Sequence, residues 1–228
     1  MAPIMDIPNE NDYQKMIKIA DAVGINYSVP KQEPEIKVKD DLGFIYVHSI
    51  KLEVARNKIL HGKNFYNTQE ALHSNNQRML TIPEFREFLK YTRQNHKDIY
   101  NEITQVRSPW RAEWLDADFK VEGKDLVVYY HIFENGKIVK KSEKLDKNTL
   151  MEDKTPGISL ENWLEDSTNQ GLPKDVVKSG KLYYWCPDKD NNSVAGFGAV
   201  DDRSDLGCDR GPSNWDSDLG VRAAKLRE

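Results

Sequence analysis

The dipeptide Asn135-Gly136, set between Asp125–Phe133 and Lys137–Glu143, restricts the fold more than any other feature of this 228-residue chain. The flanking runs are rich in β-branched and aromatic residues. Asn-Gly supplies the positive φ angles that a tight type I′ turn needs, so the segment reads as a β-hairpin. A second local signal points elsewhere. Thr81 with Glu84 three residues on is a capping box, Pro83 fits a first helical turn, and Ile82, Phe85, Phe88, Leu89 and Thr92 share one helical face. Strands and helices mixed along one chain indicate the α+β class.

The remaining elements are read in the same way. Phe44–Ile50 has strand composition, Asn67 with Glu70 reads as a second capping box, and Ser159–Leu164 as a short helix. From Leu182 onward only short strands and loops are expected. Tyr13, Met16, Ile17, Ala20 and Val23 place a helix over 9–23, with Asn9 or Asn11 as its cap. Val29–Pro34 then breaks the pattern. The reading is an N-terminal helix and Pro-containing linker over 1–40, followed by one domain over 41–228. That helix is either a contact for oligomer formation or an element packed on its own domain.

Ten Tyr, seven Phe and five Trp supply enough bulky apolar surface for a core despite a charged fraction of 31%. A net charge of −4 argues against nucleic acid as the main partner, because phosphate neutralisation needs clustered Lys and Arg. The best local basic patch, Lys137–Lys144, reads as a solvated hairpin strand. No secretory signal or spanning segment is evident, so membrane insertion is not expected and synthesis in the cytoplasm is. The two cysteines, Cys186 and Cys208, form no Cys-x-x-Cys pair and read as reduced thiols, with a single bridge as the alternative.

The C-terminal segment alternates. Asp205, Gly207, Asp209 and Gly211 interleave with Leu206, Cys208, Arg210 and Pro212, and Asn214, Asp216 and Asp218 continue the spacing. A period of two puts the packing residues on one face of an extended chain and the Asp and Gly residues on the other. Asp and Gly are depleted in strands. One face is therefore set by structure, while the other tolerates residues that strands avoid.

These residues carry a resemblance. Asn191–Phe197, Asp202-Arg203-Ser204, Leu206, Cys208, Arg210, Pro212-Ser213 and Leu219–Arg222 resemble the variable proteins of diversity-generating retroelements, in particular the archaeal viral type. Leu80–Phe85, Arg111–Ala117 and Leu182–Trp185 extend the resemblance to roughly residues 40–228. It implies a C-type lectin fold with a short N-terminal helical appendage. It also implies a reverse transcriptase that copies a template with errors at adenines and so rewrites a variable region at about 196–218. Ten positions hold residues reachable from an AAC codon and are the implied ligand-binding sites: Gly198, Val200, Asp201, Asp205, Gly207, Asp209, Gly211, Asn214, Asp216 and Asp218. Trp215 is not reachable from AAC and is assigned to the scaffold. The implied function is display of a changeable surface to a protein or surface ligand, without catalysis or cofactor. The fold further implies that Phe44–Ile50 pairs with Leu219–Ala224, and that the ten positions form one solvent-facing patch.

Three rivals are weighed. A calcium-dependent sugar lectin lacks support, because the loop opened by Asp188, Asp190 and Asn192 has Ser193 where glycine belongs and Ala199 where glutamate belongs. An oxidase related to formylglycine-generating enzymes would need Cys186 and Cys208 as a reactive pair, whereas Cys208 alternates with core-type neighbours. The five histidines, His48, His61, His73, His96 and His131, show no close metal-type spacing. A structural virion or oligomer component on the same scaffold is the third reading.

Overall fold

A computed structural model describes residues 43–105, 108, 110–200 and 203–227. The expected helix over 9–23, the linker after it and the boundary near 40 lie outside these residues. The described chain is mixed α and β, mostly sheet.

Its centre is β3 (Arg111–Glu122), a strand twelve residues long and buried along most of its length. It pairs with β4 (Asp125–Glu134) through its C-terminal half and with β8 (Ser193–Val200) along most of its length. β4 turns into β5 (Lys137–Lys144) through Asn135 at φ 52° and Gly136 at φ 77°, with Glu134 opposite Lys137. The turn chemistry read from Asn-Gly thus sets the hairpin register. On the other side β8 pairs with β9 (Arg203–Arg210), β9 runs parallel to β7 (Leu182–Trp185), and β6 (Lys154–Ile158) ends the row. The short β10 (Leu219–Gly220) lies parallel to the start of β3, completing an eight-stranded sheet.

One face of this sheet packs against helices. α1 (Phe65–His73) covers the opposite face, whereas α2 (Ile82–Asn95), α3 (Lys97–Thr104) and α4 (Leu160–Glu165) lie on the first. α2 begins at the Thr81–Glu84 capping box with Pro83 in its first turn, and its expected apolar face is buried. Phe85 packs 5.1 Å from Phe197, and Trp163 of α4 stacks on Phe197 at 5.9 Å, between ring centroids. Leu206 and Cys208 complete this core, and both are fully buried. The expected short helix forms, with Ser159 as its cap rather than its first residue. The cap of α1 is Asn64, whose side chain accepts from the Asn67 amide, so this helix starts before the Asn67–Glu70 box. Asn at both 64 and 67 offers the same chemistry, and burial of Phe65 against Trp114, 5.6 Å between centroids, favours the earlier start.

The terminal strands meet differently from the expectation. β1 (Phe44–Val47) pairs with β2 (Leu52–Ala55), and β11 (Ala224–Leu226) pairs with the other edge of β2. Phe44–Ile50 and Leu219–Ala224 are therefore not direct partners. The tight turn at Lys51, φ 56°, returns the chain at once, so β2 occupies the edge that β11 would have used. Leu219 and Gly220 belong to the large sheet instead.

Candidate functional site

The expected alternation holds along β9 only as far as Cys208. Gly196 stands opposite Gly207, yet Val194 stands opposite Arg210, so two residues of β9 face one residue of β8. A bulge of this kind adds a residue to one strand and reverses which face the next side chain takes. Arg210, expected on the core face with Leu206 and Cys208, is turned instead onto the face of Gly207.

That face has a floor almost without side chains. Gly198 lies between Ala112 and Asp205, and Gly196 between Trp114 and Gly207. The Arg210 side chain lies over this floor. A Cβ at Gly196 would sit 3.2 Å from its Cδ, and one at Gly207 would sit 3.2 Å from its Nε. The Arg210 guanidinium carbon is 5.7 Å from the centre of the Trp110 ring. Beside it are Tyr183 and Trp185, in register with Asp205 and Gly207 across the parallel β7–β9 pair. Two open hollows result. One, of about 390 Å³, is lined by Trp110, Arg210, Ser213, Asn214, Trp215 and Asp216, and the other, of about 280 Å³, by Trp185, Gly207, Asp209, Arg210 and Asn214.

The outer wall is the loop from Gly211 to Asp218, and it is held by its backbone. The carbonyl of Pro212 accepts from the Phe65 amide at 3.2 Å, and that of Asp216 from the Gly62 amide at 3.1 Å. The Ser217 carbonyl lies 3.2 Å from His61 Nδ1. The Asp218 carbonyl accepts from Lys58 Nζ at 2.9 Å and from the Ala112 amide at 3.2 Å. Lys58 Nζ also donates to the Ala112 carbonyl at 3.1 Å, so one ammonium ties loop to sheet. Burial lowers the Lys58 pKa to about 8, with the nearby Arg111 adding to the effect and Glu113 opposing it. Glu113 is itself fully buried between Arg111, at 2.6 Å, and Arg222, at 3.1 Å; those two cations overcome its burial and hold its pKa low.

The electrostatics of the groove are mixed. Asp205, 8% exposed, pairs with Arg203 at 3.3 Å, and burial raises its pKa against the pull of that arginine. Arg203 in turn lies over the Tyr183 ring at 4.6 Å. Asp209 is exposed as a residue, but its Oδ1 borders Gly207 and desolvation raises its pKa. Burial lowers the pKa of Arg210, while Asp209 and Asp205 favour its charged form.

The ten sequence-derived positions divide accordingly. Asp209, Asn214 and Asp216 are exposed and line the hollows, and Gly211 and Asp218 are half-buried. Gly198, Asp205 and Gly207 are buried and form the floor, so the expected single solvent-facing patch is instead a groove with a covered base. The backbone of Val200 continues β8, and Asp201 lies outside the described residues. Trp215, assigned to the scaffold, is 72% exposed. The strand ends at Arg210, so the period of two has no meaning in the loop beyond it. Trp110, Tyr183 and Trp185 are not among the site residues read from the sequence; Tyr183 and Trp185 lie within the Leu182–Trp185 motif, and Trp110 directly precedes Arg111–Ala117.

Two further clusters of polar side chains centre on Asp116 and on Asp188. His131 Nδ1 is 3.2 Å from Asp116 Oδ1, and the His73 and His131 ring centroids are 4.7 Å apart, although the sequence spacing suggested no association. Asp116 also accepts from the His131 amide at 2.9 Å, which makes it a tie between β3 and β4. Asp188 accepts from the amides of Asp190 and Asn191, closing its loop on itself. Among the described residues no group of three or more His, Cys, Asp or Glu side chains is placed to hold a metal ion. Cys186 and Cys208 are both free thiols. No described helix is long and apolar enough to cross a membrane.

No family model, curated protein or solved structure matches the chain.

Proposed function

We propose that this protein is a ligand-binding display scaffold with a C-type lectin fold, a variable protein whose C-terminal side chains are rewritten by adenine-directed retroelement mutagenesis. The observation that carries the reading is the way the 211–218 loop is held. Carbonyl oxygens of Pro212, Asp216, Ser217 and Asp218 make the attachments, and every residue type has a carbonyl. Side chains at Ser213, Asn214 and Trp215 are exposed and can change while the backbone stays in place. Asp216 is an intermediate case, because its Oδ1 also accepts from the Asp218 amide at 2.9 Å.

The small sheet in which β1 and β11 flank β2 brings the two ends of the described chain to one place, in keeping with the lectin fold, although the direct pairing of Phe44–Ile50 with Leu219–Ala224 is absent. Full burial of Cys208 disfavours the oxidase alternative, whose cysteine pair would have to meet substrate and oxidant. Tryptophan and arginine, the residues that most often anchor protein interfaces, are those that border the groove. The ligand is therefore a protein or a cell-surface structure, met at the groove rim.

The reading is tested in the nucleotides. A near-copy of the codons for residues 196–218, close to a reverse-transcriptase gene and differing only at adenines, is the expected finding. A complete surrounding sequence without either element contradicts it.

A further inference from the structure

The buried arginines of the described chain each hold carboxylate or carbonyl partners, although Nε of Arg78, Arg111 and Arg222 makes no hydrogen bond. Arg78 forms a two-pronged pair with Glu84 at 2.6 and 2.7 Å, Arg86 donates to the carbonyls of Trp163 and Leu164 at 2.7 Å each, and Arg111 and Arg222 share Glu113. Arg210 differs. Among the described residues it makes no hydrogen bond or ion pair, and its Nε is buried without a partner. Asp205, Asp209 and Asp216 are near enough to influence its charge but form no ion pair with it. A half-buried arginine with an idle, buried Nε costs free energy, and a native structure that retains one generally uses it.

We propose that Arg210 is a fixed carboxylate-binding residue at the centre of the groove, and that it receives an acidic side chain of a partner protein. The proposal rests on the display reading and names the ligand chemistry of that site. The Arg210 side chain lies between the Trp110 ring and the glycine floor, and it lines both hollows. The planar guanidinium fork matches a carboxylate. The surrounding Asp205, Asp209 and Asp216 set a limit on ligand charge: a single carboxylate is tolerated, and a phosphate dianion is repelled. Trp185, 37% exposed, and Trp215 offer apolar walls, so the acidic residue arrives beside an aromatic or aliphatic one.

Gly207 belongs to the same device. With glycine there, Arg210 lies flat across the floor; a side chain at 207 forces it to move, and an aspartate pairs with it and closes the site. Position 207 is one of those implied to vary, so a change there switches the acidic-ligand subsite on or off without touching Arg210.

The test uses the full chain, labelled with ¹⁵N, and follows the Arg210 Nε–H and Trp110 Nε1–H signals. N-acetyl-Phe-Glu-amide is the probe, with N-acetyl-Phe-Gln-amide, N-acetyl-Phe-Lys-amide and inorganic phosphate as comparisons. The glutamate peptide is expected to give saturable shifts with a dissociation constant on the order of 1–10 mM. Binding is expected to be at least about tenfold weaker for the glutamine peptide, for Arg210→Gln and for Gly207→Asp, and intermediate for Arg210→Lys. Backbone spectra of the variants confirm their folding, and the wild-type comparison of peptides needs no variant at all. Absence of saturable shifts, equal binding of the Glu and Gln peptides, or tighter binding of phosphate or of the lysine peptide overturns the proposal. The display reading fails separately, on the missing template repeat, and leaves the peptide result unaffected.

Discussion

Lys58 Nζ donates to the carbonyl oxygen of Asp218 across 2.9 Å, joining residues 160 positions apart. The same ammonium reaches the Ala112 carbonyl, at the start of β3. It therefore fixes the base of the 211–218 loop without using any side chain of that loop.

Replacing Lys58 by Met removes both bonds while keeping most of the apolar stem. Hydrogen bonds from a charged group contribute about 1.5–3 kcal/mol each when intact. Hydrogen exchange should accelerate at Ala112, whose amide donates to the Asp218 carbonyl, and at Leu219, with α2 unaffected. Unchanged exchange at these two amides would show that the lysine is not what holds the loop.

Lys58 also predicts a pH dependence. Its pKa, lowered by burial to about 8, lies below the ordinary lysine value near ~10.4 that the unfolded chain has. Below pH 8 the folded state carries a buried charge at a cost, and that cost is relieved as pH rises from about 8 toward ~10.4. The unfolded state binds more protons across that window, so this group adds stability with rising pH. Denaturant titrations of wild type and Lys58→Met at several pH values isolate the effect from other groups. The difference should move in favour of wild type above pH 8; a flat or falling difference contradicts it.

Both thiols should be slow to react with a thiol reagent in the native protein. Cys208 is fully buried, and Cys186 has its pKa pushed up to about 11 by burial and by the neighbouring Asp153. The thiolate is the reactive form, and little of it exists near neutral pH. Reductant should leave the melting temperature unchanged, whereas loss of a disulfide would remove about 2–4 kcal/mol. Rapid labelling of either cysteine before unfolding would overturn this reading.

Local chemistry was readable at most positions where a short-range rule decides the outcome, the Asn67–Glu70 box being overridden by the Asn64 cap. The Asn135-Gly136 turn, the Thr81–Glu84 cap and the short helix after Ser159 all form as the sequence predicts. Burial of Leu206 and Cys208 followed from alternation. What failed depended on non-local pairing. The bulge that turns Arg210 outward arises from the match between β8 and β9, which no local pattern in β9 announces. Central β3 was legible only through the resemblance at Arg111–Ala117, because a strand buried on both faces loses its alternation. The exposure of Trp215 reflects the end of the strand, and codon reachability cannot say which way a loop residue points.

The central claim is that side chains on the groove are free to change while those beneath it are not. Two libraries test it most directly, one randomising Asp209, Ser213, Asn214 and Trp215, the other Leu206, Cys208, Leu219 and Val221. Exposed positions typically tolerate substitution within about 0.5 kcal/mol, whereas truncating a buried large apolar residue costs roughly 2–5 kcal/mol. Soluble, cooperatively folding clones should dominate the first library and be rare in the second, measured by the folded fraction after expression. Equal collapse of both would contradict a display surface at this groove.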